Sequence, residues 1–114
     1  MKLKIATEHN GDIIILEPKG SLVGGEETDE LRNAVIESVE KGNKKLIVDL
    51  GKVTYMNSTA IGALVSAHTS YANRKGKVVL CNVNKSIKNI FVVTKLSMIF
   101  QVSDSRPDAV MTLI

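Results

Sequence analysis

The hydroxyls of Ser58 and Thr59 are the side chains of this 114-residue sequence whose setting invites chemistry. They lie in the stretch Tyr55-Met56-Asn57-Ser58-Thr59-Ala60-Ile61-Gly62-Ala63-Leu64. That stretch follows the apolar run Leu46-Ile47-Val48-Asp49-Leu50 and leads into a long helical pattern. A small polar cluster is therefore expected where a buried strand hands over to a helix. In open α/β sheets, function collects in crevices beyond the carboxyl ends of strands. The first N–H groups of the helix have no intrahelical partner there. A hydroxyl, or a phosphate added to it, meets ready donors and the positive end of the helix dipole.

Other chemistries find less support. Nucleophilic catalysis at Ser58 needs a nearby base, and the histidines are His9 and His68. His68 lies on the same predicted helix, ~15 Å of rise away and out of hydrogen-bond reach. His9 falls at a predicted hairpin end. No Cys, His, Asp and Glu set has metal-ligand spacing, and there is no P-loop. Catalytic residues, metal and cofactor are accordingly all expected to be absent. Cys81 sits in the apolar run Val78-Val79-Leu80-Cys81 and reads as a buried, inert thiol. Gly24-Gly25 reads as a loop close to the site, which makes Gly24 a candidate for a docking surface. Met56 and Tyr55 read as core and rim packing under the loop, with Met56 a further candidate for partner contact because Met suits adaptable interfaces. Asn57-Ser58-Thr59 also fits the N-glycosylation pattern, which has meaning only behind a secretory signal. The pairs Lys44-Lys45 and Arg74-Lys75 read as solvated ends.

Composition narrows the class. Hydrophobic residues make up 44% and charged residues 24%, ordinary for one soluble globular domain spanning 1–114. The net charge of +3 is mild and scattered, and there is no Trp, so direct nucleic-acid binding is not expected. No stretch approaches the ~20 apolar residues of a membrane span. The first residues lack an apolar h-region, and a cytoplasmic location is the default expectation.

Several elements must position the Ser58 loop. Residues 2–9 alternate, with Leu3 and Ile5 on one side and Lys2 and Lys4 on the other, and predict a half-buried strand. Asn10-Gly11-Asp12 predicts a tight turn into the strand Ile13-Ile14-Ile15-Leu16, hence an antiparallel hairpin. Pro18 and Gly20 should stop that strand, and Gly20 to Gly25 reads as a flexible connection. Glu26 to Lys41 predicts a helix, acidic in its first turns, with Leu31, Ala34, Val35 and Val39 on one face. Lys45 to Leu50 is the next buried strand. Ser58 to about Lys75 is the second helix, with Ile61, Leu64, Val65, His68 and Ala72 sharing a face. The small Ala60, Ala63 and Ala67 should let it lie close to the sheet. Ser58, read from spacing alone, is its N-cap, and Thr59 a residue of its first turn. Lys77 to Val83 is another strand, and Asn84 caps a short helix carrying Ile87, Ile90, Phe91 and Thr94. Leu96 to Val102 ends in a last short strand. Ser105-Arg106-Pro107-Asp108 starts a final helix, with Val110 and Leu113 facing inward. Strands alternating with helices predict an α/β fold of βαβ units.

The order hairpin, helix, strand, Tyr-Met-Asn-Ser-Thr-Ala-Ile-Gly, helix, strand resembles the STAS domain, specifically bacterial anti-sigma factor antagonists. Their signature is an aromatic-Met-Asp-Ser-Ser/Thr-Gly-Leu-Gly segment at a strand-to-helix junction. Tyr55, Met56, Ser58, Thr59 and Gly62 match it, and Ile61 stands in for Leu. The resemblance extends over essentially the whole chain, including Leu80-Cys81-Asn82-Val83 and Ile90-Phe91…Thr94-Lys95-Leu96. Asn57 replaces the usual Asp, and Ala60 the usual Gly.

The resemblance implies a single domain: a mixed, mostly parallel sheet of about four or five strands packed by about four helices. It implies a regulatory binding module rather than an enzyme. Its partner would be an anti-sigma factor that is also a serine kinase, reached through Met56, Asn57, Ser58, Thr59, Ala60 and Gly24. Phosphorylation at Ser58 would block that docking, and a PP2C-like phosphatase would reset it. Asn57 and Ala60 keep open a second reading, an unmodified STAS subunit of a transporter or signalling scaffold. A nucleotide-binding sensor is a weaker third. Oligomeric state is not legible in the residues.

Overall fold

The computed structural model describes residues 3–114, in the order β1 (Lys4–Glu8), β2 (Ile13–Glu17), β3 (Lys19–Leu22), α1 (Glu26–Glu40), β4 (Lys45–Asp49), β5 (Lys52–Met56), α2 (Ser58–Ala72), β6 (Lys77–Cys81), α3 (Lys85–Val93), β7 (Gln101–Ser103) and α4 (Arg106–Leu113), with one 3-10 turn at Leu96–Met98. Two sheets result. The main one has the order β1-β2-β4-β6-β7, antiparallel only between β1 and β2, and a smaller parallel pair joins β3 to β5. The fold is thus α/β with a mixed, mostly parallel sheet of five strands and four helices.

Alternation along the central strands explains the layering, because successive side chains leave a strand on opposite faces. Leu16, Leu46, Val48, Val78 and Leu80 join Leu31, Val35, Ala60, Leu64, Ala67, Ile87 and Phe91 in the main core, beneath α1, α2 and α3. Ile13, Ile15, Ile47, Val79 and Cys81 form a second cluster with Ala109 and Leu113 of α4. Three helices therefore cover one face and a single short helix the other. The central strands are buried on both faces, which is why they read as unbroken apolar runs.

The hairpin turn forms as its residues dictate: His9, Asn10 and Gly11 all have positive φ, and the Asp12 N–H donates to the His9 carbonyl at 3.1 Å. Asn84 and Ser105 cap their helices, accepting from the N–H groups of Ile87 and Asp108.

Several expectations are corrected. Gly20 to Leu22 is not a free connection but part of β3, whose register shifts at Gly20/Ser21 as it pairs with β5. Lys52–Met56, which received no strand between Lys45–Leu50 and the second helix, is a full strand. The long sequence runs β2–β3 and β4–β5 each bend once, at Pro18 and at Leu50-Gly51, and carry the chain beyond the main sheet. Ile5 does not share the burial of Leu3; it is 55% exposed, on the edge strand β1, where a cleft separates it from Ala34 and Glu37 of α1. Lys2 lies outside the described residues. The buried stripe of α2 is Ala60, Ala63, Leu64, Ala67 and Tyr71, rotated from the predicted face, and the helix ends at Ala72 rather than Lys75. Small alanines let α2 approach the sheet, and this approach selects the stripe over the larger Ile61 and Val65. In α4 it is Ala109, with Leu113, that is buried, and Val110 only packs against that cluster.

Tyr71 was not singled out in the sequence, yet it pins three elements. Its hydroxyl hydrogen-bonds Ser38 of α1 at 2.6 Å and accepts from Asn43 Nδ2 at 2.7 Å, just before β4. Gly76 passes so close to this ring that a Cβ there would meet Tyr71 Cδ2 and the Lys44 carbonyl, each at 2.9 Å.

Candidate functional site

Parallel β3 and β5 end side by side, with Leu22 opposite Met56. The chain leaves both at the same point, one branch entering α1 through Val23-Gly24-Gly25 and the other entering α2 through Asn57. This juxtaposition brings Gly24 to the Ser58 loop, as proximity in the sequence reading required. A Cβ on Gly24 would lie 3.1 Å from Thr59 Cγ2. With φ of +88° as well, only glycine fits this position without strain.

The N-cap of α2 is Asn57, not Ser58. Asn57 Oδ1 accepts from the Ala60 N–H at 3.1 Å, and Asn57 Nδ2 donates to the Val23 carbonyl at 3.0 Å. The backbone N–H of Asn57 donates to the Leu22 carbonyl at 3.1 Å. The two loops are therefore stitched together by one side chain. An aspartate would cap the helix equally well. It has no N–H to offer Val23, so the carboxamide has a structural role that the sequence did not reveal.

Ser58 is the first helical residue and is exposed, as is Thr59. The first intrahelical bond runs from Ile61 N–H to the Asn57 carbonyl, and the Ala60 N–H is taken by the cap. The Ser58 and Thr59 N–H groups thus have no acceptor among the described residues. They lie at the helix end that favours negative charge. No acidic residue stands in the first turn of α2.

Two candidates for partner contact are corrected. Met56 and Ala60 are buried in the main core, at 1% and 0% exposure, so neither offers surface for contact. Ala60 places its methyl in that core without disturbing the cap. The exposed apolar groups at this end are instead Tyr55 and Val23, at 52% and 49%. Val23 was missed because it falls within a stretch read as a flexible connection; only the pairing of β3 with β5 brings it here. The histidines lie elsewhere: His9 in the hairpin turn, and His68 half-buried, edge-on to Phe100 with centroids 6.3 Å apart.

A second polar cluster went unnoticed in the sequence. Asp49, at the end of β4, is buried; its Oδ1 accepts from the Gly51 N–H at 2.9 Å and from Asn82 Nδ2 at 3.1 Å. Its Oδ2 accepts from Arg106 at the start of α4, which also reaches Glu17 at the end of β2 at 2.9 Å. Burial works against the Asp49 charge, but bonds from Gly51, Asn82 and Arg106, with the guanidinium charge, overcome it and hold the carboxyl below 3.8. Beside it, burial and the Asp49 charge push the Cys81 thiol up to about 12, so this thiol is inert as expected. The cluster fastens α4 to the sheet where the strands bend.

Comparison with known proteins agrees with this architecture. The family model for the STAS domain matches residues 4–109. An anti-sigma F factor antagonist of Paenibacillus polymyxa is 21% identical over 114 residues, spanning 99% of this chain and 97% of the relative. The anti-sigma factor antagonist SpoIIAA of Bacillus superposes with TM-scores of 0.76 in its unphosphorylated form and 0.78 in its phosphorylated form. Identity is 12% in both, over 96% and 98% of this chain and 94% and 99% of theirs. A sulfate transporter family protein of Wolinella succinogenes superposes with a TM-score of 0.78 at 19% identity, over 90% of this chain and 84% of its own. With the family model spanning nearly its whole length, and this fold beneath it, the chain belongs to the STAS domain family.

Proposed function

We propose that this protein is an anti-sigma factor antagonist that docks on a serine-kinase anti-sigma factor and is switched off when that partner phosphorylates Ser58. The observation that carries this reading is Ser58, exposed as the first residue of α2 beside two N–H groups that have no acceptor among the described residues. The docking surface is formed by Asn57, Ser58, Thr59 and Gly24, rimmed by Val23 and Tyr55. It is a binding module without a reaction of its own, acting in the cytoplasm where its ATP-dependent partner works, and a PP2C-like phosphatase restores the free hydroxyl. The names of the antagonist relatives support the role, and the phosphorylated form of SpoIIAA shows that this fold carries a phosphate in one of its members.

The energetics suit a switch without refolding. A phosphate adds roughly −1.5 to −2 charges. The open end of α2 stabilises it by about 0.3–2 kcal/mol, so the domain keeps its fold. In a closed interface, one like-charge contact at ~4 Å and an effective dielectric of ~20 costs ~4 kcal/mol per charge. Moving the complex from nearly all bound to nearly all free takes about 5.5 kcal/mol, which one phosphate supplies.

Incubation with the kinase partner and ATP is expected to add a single phosphate to the wild type and none to Ser58→Ala. An unchanged wild-type mass would refute the reading. Asn57, whose carboxamide holds Val23, favours one second reading, an unmodified subunit of a transporter or scaffold. Recovery of transporter components and no sigma regulator with the tagged protein would decide for it.

A further inference from the structure

The free edge of β1 is the longer of the two open edges of the main sheet. All five residues, Lys4 to Glu8, are exposed, and they pair with β2 in unbroken register from Lys4↔Glu17 to Glu8↔Ile13. Edge strands are commonly blunted by proline, a bulge, a covering helix or charged side chains, and of these β1 carries only the charges of Lys4 and Glu8. This one has no proline and no bulge, and clefts flank it on both faces of the sheet. One is lined by Ile5, Ile14 and Leu16 with Ala34 and Lys41 of the α1 region; the other, of about 240 Å³, by Lys4, Ala6, Ile15, Glu17 and Arg106. The opposite edge, β7, is only three residues long.

The charges on β1 specify what fits. Lys4, Ala6 and Glu8 share one face, since they lie opposite Glu17, Ile15 and Ile13, and Ile5 and Thr7 share the other. Neither Lys4 nor Glu8 has an ion-pair partner among the described residues. Laid antiparallel against itself about Ala6, the strand places Lys4 opposite Glu8, Ile5 opposite Thr7 and Ala6 opposite Ala6. Two Lys4–Glu8 pairs then form, one on each side of Ala6, and the exposed Ile5 packs against the methyl of Thr7. Directly opposed unlike charges favour an antiparallel pair, and like charges oppose it.

We propose that two copies of this chain associate through β1, antiparallel and two-fold about Ala6, joining their main sheets into one of ten strands. The interface is self-complementary, as two-fold symmetry requires. It is small, so the dimer is weak and concentration-dependent. Gly24, Asn57, Ser58 and Thr59 line neither cleft beside β1, so both Ser58 loops stay open in the pair.

Sedimentation of the full chain from about 10 µM to 1 mM is expected to show a rising dimer fraction. Lys4→Glu and Glu8→Lys should each weaken it about tenfold, and an equimolar mixture of the two variants should form a heterodimer tighter than either alone. Ala6→Cys fixes the register: opposed Cα atoms lie about 4.5–5.5 Å apart, within disulfide reach, so mild oxidation should give a covalent dimer. Thr7→Cys, with its copy about 8 Å away, should not. Thermal melts confirm that each variant is folded before it is scored. A monomer throughout the range, or a dimer indifferent to both charge reversals, overturns the proposal. So does cross-linking of Thr7→Cys in preference to Ala6→Cys.

Discussion

Replacing Arg106 by Met probes the cluster that fastens α4, because it keeps the aliphatic volume and removes the charge. Arg106 bonds Asp49 Oδ2 through Nε and Nη2, each at 3.0 Å, and Glu17 at 2.9 Å. The Asp49 side chain is only 5% exposed. Removing one partner of a buried pair costs about 3–5 kcal/mol. Here the arginine is itself 35% exposed, and Asp49 keeps its bonds from Gly51 and Asn82. The loss should therefore fall below that range, at about 2–3 kcal/mol at pH 7, near 10 °C in melting temperature for a chain of this size. The pH dependence gives a second check. In the wild type the depressed Asp49 carboxyl contributes stability that is full above about pH 4 and fades as pH falls through its folded value, below 3.8. In Arg106→Met the bonds from Gly51 and Asn82 remain but the guanidinium no longer helps to hold the charge, so the carboxyl titrates higher than in the wild type and the gap between the two narrows towards pH 3. Adding Asp49→Asn should recover part of the loss, since no buried charge then lacks its partner. Urea titrations at pH 7 and pH 3 measure all three. A loss under 1 kcal/mol, or one equal at the two pH values, would refute the clamp.

Other residues carry expectations of their own. Asn57→Ala removes both the cap and the tie to Val23, and should lower stability by about 1–2 kcal/mol in chemical denaturation. Asn57→Asp should lose less, since it keeps the cap. Gly76→Ala drives a methyl against the Lys44 carbonyl and the Tyr71 ring, and should cost about 1–3 kcal/mol by the same measurement. An iodoacetamide time course at pH 8 should leave Cys81 unmodified in the folded protein and label it in urea, because burial holds its thiol near 12.

The elements legible in the sequence were those whose signals are local. The Asn-Gly turn, the runs Ile13–Leu16 and Leu46–Leu50, the caps Asn84 and Ser105, and the acidic start of α1 each state their conformation within a few residues. What was not legible depends on distant partners. β3 and β5 are recognisable as strands only through each other, since Lys19-Gly20-Ser21 has few apolar residues and Lys52–Met56 buries only Val53 and Met56. The buried stripe of α2 was mistaken because helical spacing admits two adjacent faces, and the sheet chose the one with alanines. At the candidate site, the strand-to-helix handover was legible and Ser58 stands exposed there, but the cap expected of Ser58 is Asn57. Val23 needed the pairing of β3 with β5 to come into view. Arg106, Asp49 and Glu17 stand far apart in the chain, so no spacing joined them.

The proposed switch at Ser58 is tested most directly by calorimetric titration of the proposed anti-sigma factor partner with unmodified protein and with protein phosphorylated at Ser58 alone. Tight binding of the unmodified form and a loss of at least about a thousandfold on phosphorylation are expected, with both forms melting within a few degrees of each other. Equal affinity of the two forms would contradict the account, as would a phosphorylated form that fails to bind because it has unfolded.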